Sequence, residues 1–121
     1  MTDDKSLYER LGGASGITAI SNDLVDRHCA NPEIKARFVN SDRAALKQLV
    51  FDFFSMGTGG PANYQGRDML TTHTGMNINE RELIAVLDDA LACLDKHGID
   101  PTSRNEVLAI LYSFKDEILF K

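Results

Sequence analysis

The chain has no tryptophan, two cysteines, three prolines and three histidines, and only 7% of it is aromatic. Each scarcity excludes something. Cys29 and Cys93 stand alone, without C-x-x-C spacing, so neither a disulfide framework nor a cysteine-rich zinc cluster is expected. They read as free thiols in a reducing cytoplasm, packed as small hydrophobes. No two histidines stand at H-x-x-x-H spacing, so the helix-borne zinc pair is missing as well. No apolar run approaches the ~20 residues that a membrane helix needs. Basic residues are in the minority: 13 Lys and Arg against 18 Asp and Glu leave a net charge of −5. Nucleic acid and anionic membrane both attract basic patches, so neither is an expected partner. The start, Met1-Thr2-Asp3-Asp4-Lys5, lacks the basic and apolar regions of a signal peptide, and a cytoplasmic location is expected. No segment alternates with period two, which argues against strands.

What is present is helical periodicity on one domain's length of chain, residues 1–121. Ile17, Ile20, Leu24 and His28 follow 3.6-residue spacing and predict a helix over 16–30. Asn31-Pro32 breaks it and opens a short turn carrying Ile34 and Phe38. Asp42 caps a stronger helix, with Leu46, Leu49, Val50, Phe53 and Phe54 on one wide face, ending near Gly57. Asn79 with Glu82 caps the next, which carries Leu83, Val86, Leu87, Ala90, Leu91 and Leu94 as far as Gly98. Asp100-Pro101 begins the last helix, with Val107, Leu108, Leu111, Phe114 and Ile118 on one side. Asp88-Asp89 and Asp116-Glu117 read as solvated surface.

Two glycine-containing stretches need an account. Gly12-Gly13-Ala14-Ser15-Gly16 is followed by no lysine and preceded by no strand, so it is a turn between helices rather than a phosphate loop. Residues 61–77 are too polar and glycine-rich for a long helix, yet hold Tyr64, Met69, His73 and Met76. Met69 and His73 are four apart, so one helical turn would place both on one face. A neutral imidazole there can donate its lone pair to a metal. The spacing alone favours the plainer alternative, a solvated loop histidine.

At these residues the chain resembles a known family. Leu7-Tyr8-Glu9-Arg10-Leu11-Gly12-Gly13 is similar to the opening signature of the truncated haemoglobins of the first group. Gly59-Gly60-Pro61, followed by Tyr64-x-Gly66-x-x-Met69-x-x-x-His73-x-Gly75-Met76, resembles that group's central signature. The resemblance runs from Leu7 over nearly the whole chain. It implies an all-α truncated globin, a two-over-two helical sandwich around one b-type haem, with His73 as the proximal iron ligand. It places Phe38 on the haem plane and Tyr64, Met69, Thr72, Met76 and Ile78 on the proximal side. Leu46, Leu49, Val50, Phe53 and Phe54 fall on the helix crossing the distal face, and Leu83, Val86 and Leu111 on the pocket walls. Excluding water from a large flat apolar disc requires such a lining.

The departures from the family pattern carry as much as the matches. Where the family usually has a tyrosine donor on its second helix, this chain has Val25. Where it often adds glutamine on the distal helix, the matching residues are Leu46, Leu49 and Val50. His28, three residues after Val25, and Asn22, three before it, share part of that face; His28 is the candidate donor through water or sixth iron ligand, and the alternative is a structural histidine. The resemblance therefore implies a haem globin that binds a diatomic gas (O2, NO or CO), with oxygen transport as the familiar use of that chemistry. Alternatives are nitric oxide dioxygenation, peroxidase-like chemistry, or a six-coordinate redox or sensor globin. A reductase is a candidate partner.

Overall fold

The computed structural model describes residues 5–60 and 72–121. Helix α1, Leu7–Arg10, opens on Ser6, whose hydroxyl accepts from Glu9 N–H while the Glu9 carboxylate accepts from Ser6 N–H. Helix α2, Gly13–Ala30, begins after a two-residue corner. The turn expected over Gly12 to Gly16 is thus confined to Leu11 and Gly12, and Gly13 to Gly16 already form the first turn of α2. A Cβ on Gly16 would lie 2.0 Å from the Leu11 carbonyl oxygen, so only glycine lets the chain turn back this closely. A short 3-10 turn, Lys35–Phe38, leads to α3, Arg43–Gly57, where the Asp42 carboxylate accepts from Ala44 and Ala45 N–H. Helix α4, Glu80–Lys96, begins with the expected Asn79/Glu82 capping box, and α5, Pro101–Tyr112, with the expected Asp100 cap and Pro101 in its first turn.

The last helix is shorter than its periodicity predicts. It stops at Tyr112, and a separate turn, α6, covers Lys115–Ile118. The Ser113 hydroxyl donates to the Ile110 carbonyl at 2.5 Å. The Phe114 N–H, whose α-helical partner would be that carbonyl, bonds Leu111 instead at 3.3 Å. A serine hydroxyl bonding back to a local carbonyl weakens and bends a helix, and here it coincides with the end of α5.

Helix α2 packs on α3, on α4 and on the 3-10 turn; α4 packs on α5, and α1 bridges α2 and α5. Their apolar faces meet in one cluster that includes Leu11, Ile17, Ile20, Leu24, Cys93, Leu94 and Val107. Each large side chain removed from water there contributes about 1.5–3 kcal/mol. Ion pairs pin the periphery. Arg10 joins α1 to α5 through Glu106 and Ser103, and Arg37 joins the 3-10 turn to Glu82 at the start of α4. Among the described residues the single β-type contact is an isolated bridge between Ile78 and Leu119.

Candidate functional site

His73 ends a helical turn with Thr72 and is half-buried. The segment after it is tied down strongly. Met76 N–H bonds the His73 carbonyl at 3.0 Å, Gly75 N–H bonds the Lys121 carbonyl at 2.9 Å, and Phe120 N–H bonds the Ile78 carbonyl at 2.8 Å. The final residues thus strap the segment from His73 to Ile78. Upstream in the same tail, the Phe114 ring lies 5.6 Å from that of Phe53 on α3. The imidazole's segment and the apolar face of α3 are therefore linked through one short stretch of chain. Nothing in the sequence marked Leu119–Lys121 for this role, because backbone bonds leave no periodic signal.

On α3, Phe54 is buried; Leu46, Val50 and Phe53 are half-buried, and Leu49 is 41% exposed. Phe53 and Phe54 meet edge to face at 6.1 Å. Beside them is a void of about 10 Å³, bordered by Phe54, Val107 and Leu111. Thr58, also on its border, spends its hydroxyl on the Phe54 carbonyl at 2.6 Å. An apolar void of that size stays dry. Of the other expected wall residues, Leu83 and Ile78 are buried, Val86, Leu111 and Met76 half-buried, and Thr72 exposed. Tyr64 and Met69 lie outside the described residues. The two sequence motifs do touch: Tyr8 N–H bonds the Thr58 carbonyl at 2.9 Å, and a Cβ on Gly60 would lie 2.2 Å from the Tyr8 ring.

On α2, Val25 is buried at 1% exposure. His28 is engaged on two sides. Its Nδ1 lies 2.8 Å from the Asp89 carboxylate, and its ring stacks on Phe38 at 6.0 Å with planes 12° apart. Asn31 donates to the same carboxylate at 3.1 Å. Burial pushes the His28 pKa below its ordinary value, and Asp89 opposes that shift without cancelling it. Asp89, expected as solvated surface, is instead the half-buried anchor holding the end of α2 against α4. Its neighbour Asp88 is exposed.

The donor chemistry fits haem. Of the residues assigned to the wall, those described are aliphatic, aromatic or thioether but for Thr72, and the one assigned metal donor is an imidazole. A hard cation would need oxygen ligands, whereas haem iron is commonly held by a single histidine.

Comparison with known proteins agrees. The family model for bacterial-like globins matches residues 6–120, and the chain belongs to that family. Its curated relatives include group 1 truncated haemoglobins, which bears out the resemblance carried by the two motifs. The protein of that name from Tetrahymena pyriformis is 27% identical over 121 residues, covering 100% of both chains. Its Fe(III) crystal structure superimposes with a TM-score of 0.93, covering 97% of this chain and 100% of that one. Further Fe(III) structures of it carry substitutions of a tyrosine or of a glutamine. The 2/2 haemoglobin of Synechococcus sp. PCC 7002, solved in a cyanomet state with covalently attached haem, is 25% identical with a TM-score of 0.89 over 95% of this chain and 98% of that one. The fold is thus the two-over-two truncated globin, and the cofactor is haem with its iron. Among the described residues no helix is long and apolar enough to cross a membrane.

Proposed function

We propose that residues 1–121 form one b-type haem globin domain, working in the cytoplasm, in which His73 is the proximal ligand and a diatomic gas is held on the opposite side against an aliphatic wall. The observation that carries this reading is the chemistry of the distal candidates. Val25 is buried, Leu46 and Val50 are half-buried, and none of the three can donate a hydrogen bond. They stand where the resemblance assigns tyrosine and glutamine.

When bound, haem would supply an iron able to take up a diatomic gas. The chain's residues do the rest. His73 gives the opposing lone pair from a segment strapped by Leu119–Lys121. Phe38, Met76, Ile78, Leu83, Val86 and Leu111 exclude water from the ring; Tyr64, Met69 and Thr72 are assigned to the proximal side by the resemblance alone. A charge-assisted hydrogen bond to a polarised ligand such as dioxygen is worth about 1.5–3 kcal/mol. Lacking one, the pocket holds dioxygen roughly tenfold to a hundredfold less tightly, since ~1.4 kcal/mol is tenfold. Carbon monoxide and nitric oxide carry less charge and lose less. Dioxygenation and peroxidase-like chemistry both profit from a polar distal donor, which this wall does not offer. The Asp89 and Phe38 contacts support a structural role for His28 over iron ligation. A reductase returning iron to the ferrous state is part of this reading.

Gas-release kinetics test it. The native protein is expected to release oxygen fast, and Val25→Tyr to slow that release roughly tenfold to a hundredfold while changing carbon monoxide release far less. Slow native oxygen release that Val25→Tyr leaves unchanged overturns the aliphatic-wall reading. His73→Ala is expected to lose most haem or change its ferrous spectrum; full retention with an unaltered spectrum removes His73 as the ligand.

A further inference from the structure

Away from the residues assigned to haem, Asp23 of α2, Cys93 of α4 and His97 at the C-cap of α4 bring oxygen, sulfur and nitrogen donors within 4.8 Å of one another. We propose that these three side chains form a second metal site, suited to a borderline-soft divalent cation such as Zn2+. Zinc takes this mixture of ligands at about 2.0–2.3 Å in a tetrahedron, which spaces the donor atoms roughly 3.3–3.7 Å apart. One edge is nearly in place, because His97 Nε2 lies 3.1 Å from Asp23 Oδ2. Cys93 and His97 are four residues apart and so share one side of the helix end. The Cys93 thiol is fully buried and donates to the Ile20 carbonyl at 3.3 Å, the turn of α2 just before Asp23. His97 is exposed, so the fourth position opens to water. The C-terminal end of α4 is also the negative end of its dipole, which favours a cation.

The chemistry balances without an oxidant or reductant. On binding, the Cys93 S–H bond breaks, a Zn–S bond forms, and the proton leaves to solvent. In the metal-free protein His97 Nε2–H donates to the Asp23 carboxylate, so binding moves the ring proton to Nδ1 and frees the Nε2 lone pair for the metal, while Asp23 contributes a carboxylate oxygen. Burial, with Asp23 beside it, pushes the Cys93 pKa up to about 12, so the thiol holds its proton until a metal displaces it. Two cations compete for the carboxylate: Arg27 Nε lies 3.2 Å from Oδ1, and Lys96 Nζ 4.0 Å from Oδ2. Both weaken the site, and Lys96, on the same oxygen as His97, must swing aside for a metal to bind.

The test is equilibrium dialysis of the haem-loaded protein against micromolar Zn2+, with zinc and iron determined together, and cadmium-113 NMR to identify the donors. We expect one zinc per chain and a cadmium resonance shifted by a single sulfur. His97→Gln, at an exposed position that the core does not need, should weaken binding about tenfold or more, and Cys93→Ser likewise. Cys29→Ser should change nothing. Arg27→Gln should tighten binding severalfold by freeing Asp23, whereas a purely hydrogen-bonded hub would gain no metal affinity from that change. No stoichiometric uptake, uptake that His97→Gln leaves intact, or a cadmium signal without sulfur character each overturns the site.

Discussion

The two sides of this molecule are built from the same residue types at the same helical spacing, yet they end differently. Where α2, α4 and α5 meet, Ile17 and Cys93 are 0% exposed, Val107 1% and Leu94 2%. Along α3, Leu46, Val50 and Phe53 stay half-buried and Leu49 is 41% exposed. Interiors filled by their own side chains reach the density of organic crystals. On the closed side these side chains are withdrawn from water, whereas among the described residues the apolar face of α3 is only partly covered. Periodicity finds an apolar face. It does not say what covers it, and in a haem globin part of the cover is a flat cofactor.

The strongest way to break this contrast is to cut a cavity on each side. Leu94→Ala should cost about 2–5 kcal/mol, with and without haem, because its void opens inside a protein-filled core. Leu46→Ala should cost less than that in the haem-free protein, about 1–2 kcal/mol, because part of the side chain already meets water, and more once haem is loaded. Urea unfolding of both variants in both states measures this. Equal costs at the two positions, or no dependence on haem at Leu46, would abolish the distinction between the sides.

How much of this was legible in the sequence depends on how local each signal is. The Asp42, Asn79/Glu82 and Asp100-Pro101 caps are short-range hydrogen-bond patterns, and the helices begin where those residues place them. The two family motifs identified the fold. The break at Ser113 was not legible, since apolar spacing runs on through Phe114 and Ile118 while the hydroxyl bonds back to a local carbonyl where α5 ends. Asp89 was misread because its partners, His28 and Asn31, lie about sixty residues away. A longer separation, about seventy residues, hid Asp23 from Cys93 and His97: the C-x-x-x-H spacing stands in the sequence, but its oxygen ligand arrives only when α2 packs on α4. The candidate haem wall was legible as a face and not as a wall.

A smaller effect sharpens the comparison at the seam between the two sides, where His28 is held by Asp89 and Phe38. Burial keeps the folded-state pKa of His28 below its ordinary value. The unfolded chain therefore takes up a proton first as pH falls, from about 6.5 downwards. The stability that neutral His28 contributes is fully present above that value and is lost as pH falls towards the folded-state pKa. Thermal unfolding midpoints should decline with acidification over that range, and His28→Gln should flatten the decline. Asp89→Ala should cost about 1–3 kcal/mol at neutral pH, because it leaves the half-buried His28 and Asn31 groups without their charged partner. A native midpoint that rises on acidification would mean that the Asp89 attraction outweighs burial, and the sign of the argument would be wrong.

The smallest expected effect probes the closed side itself. Ser21 lies on α2 at 0% exposure, and its hydroxyl has no hydrogen-bond partner among the described residues. A buried hydroxyl without a partner gives up its bonds to water and gains none in return. Alanine also has the higher helix propensity, by up to roughly half a kcal/mol. Ser21→Ala should therefore stabilise the protein by about 0.5–1 kcal/mol, read as a higher urea midpoint at an unchanged slope. The opposite result has a definite meaning. If a water molecule bonds the hydroxyl, alanine strands that water or leaves a void, and the variant becomes less stable. The core around α2 would then be sealed in part by solvent, and the difference between the two sides would be one of what fills each gap rather than of whether a gap exists.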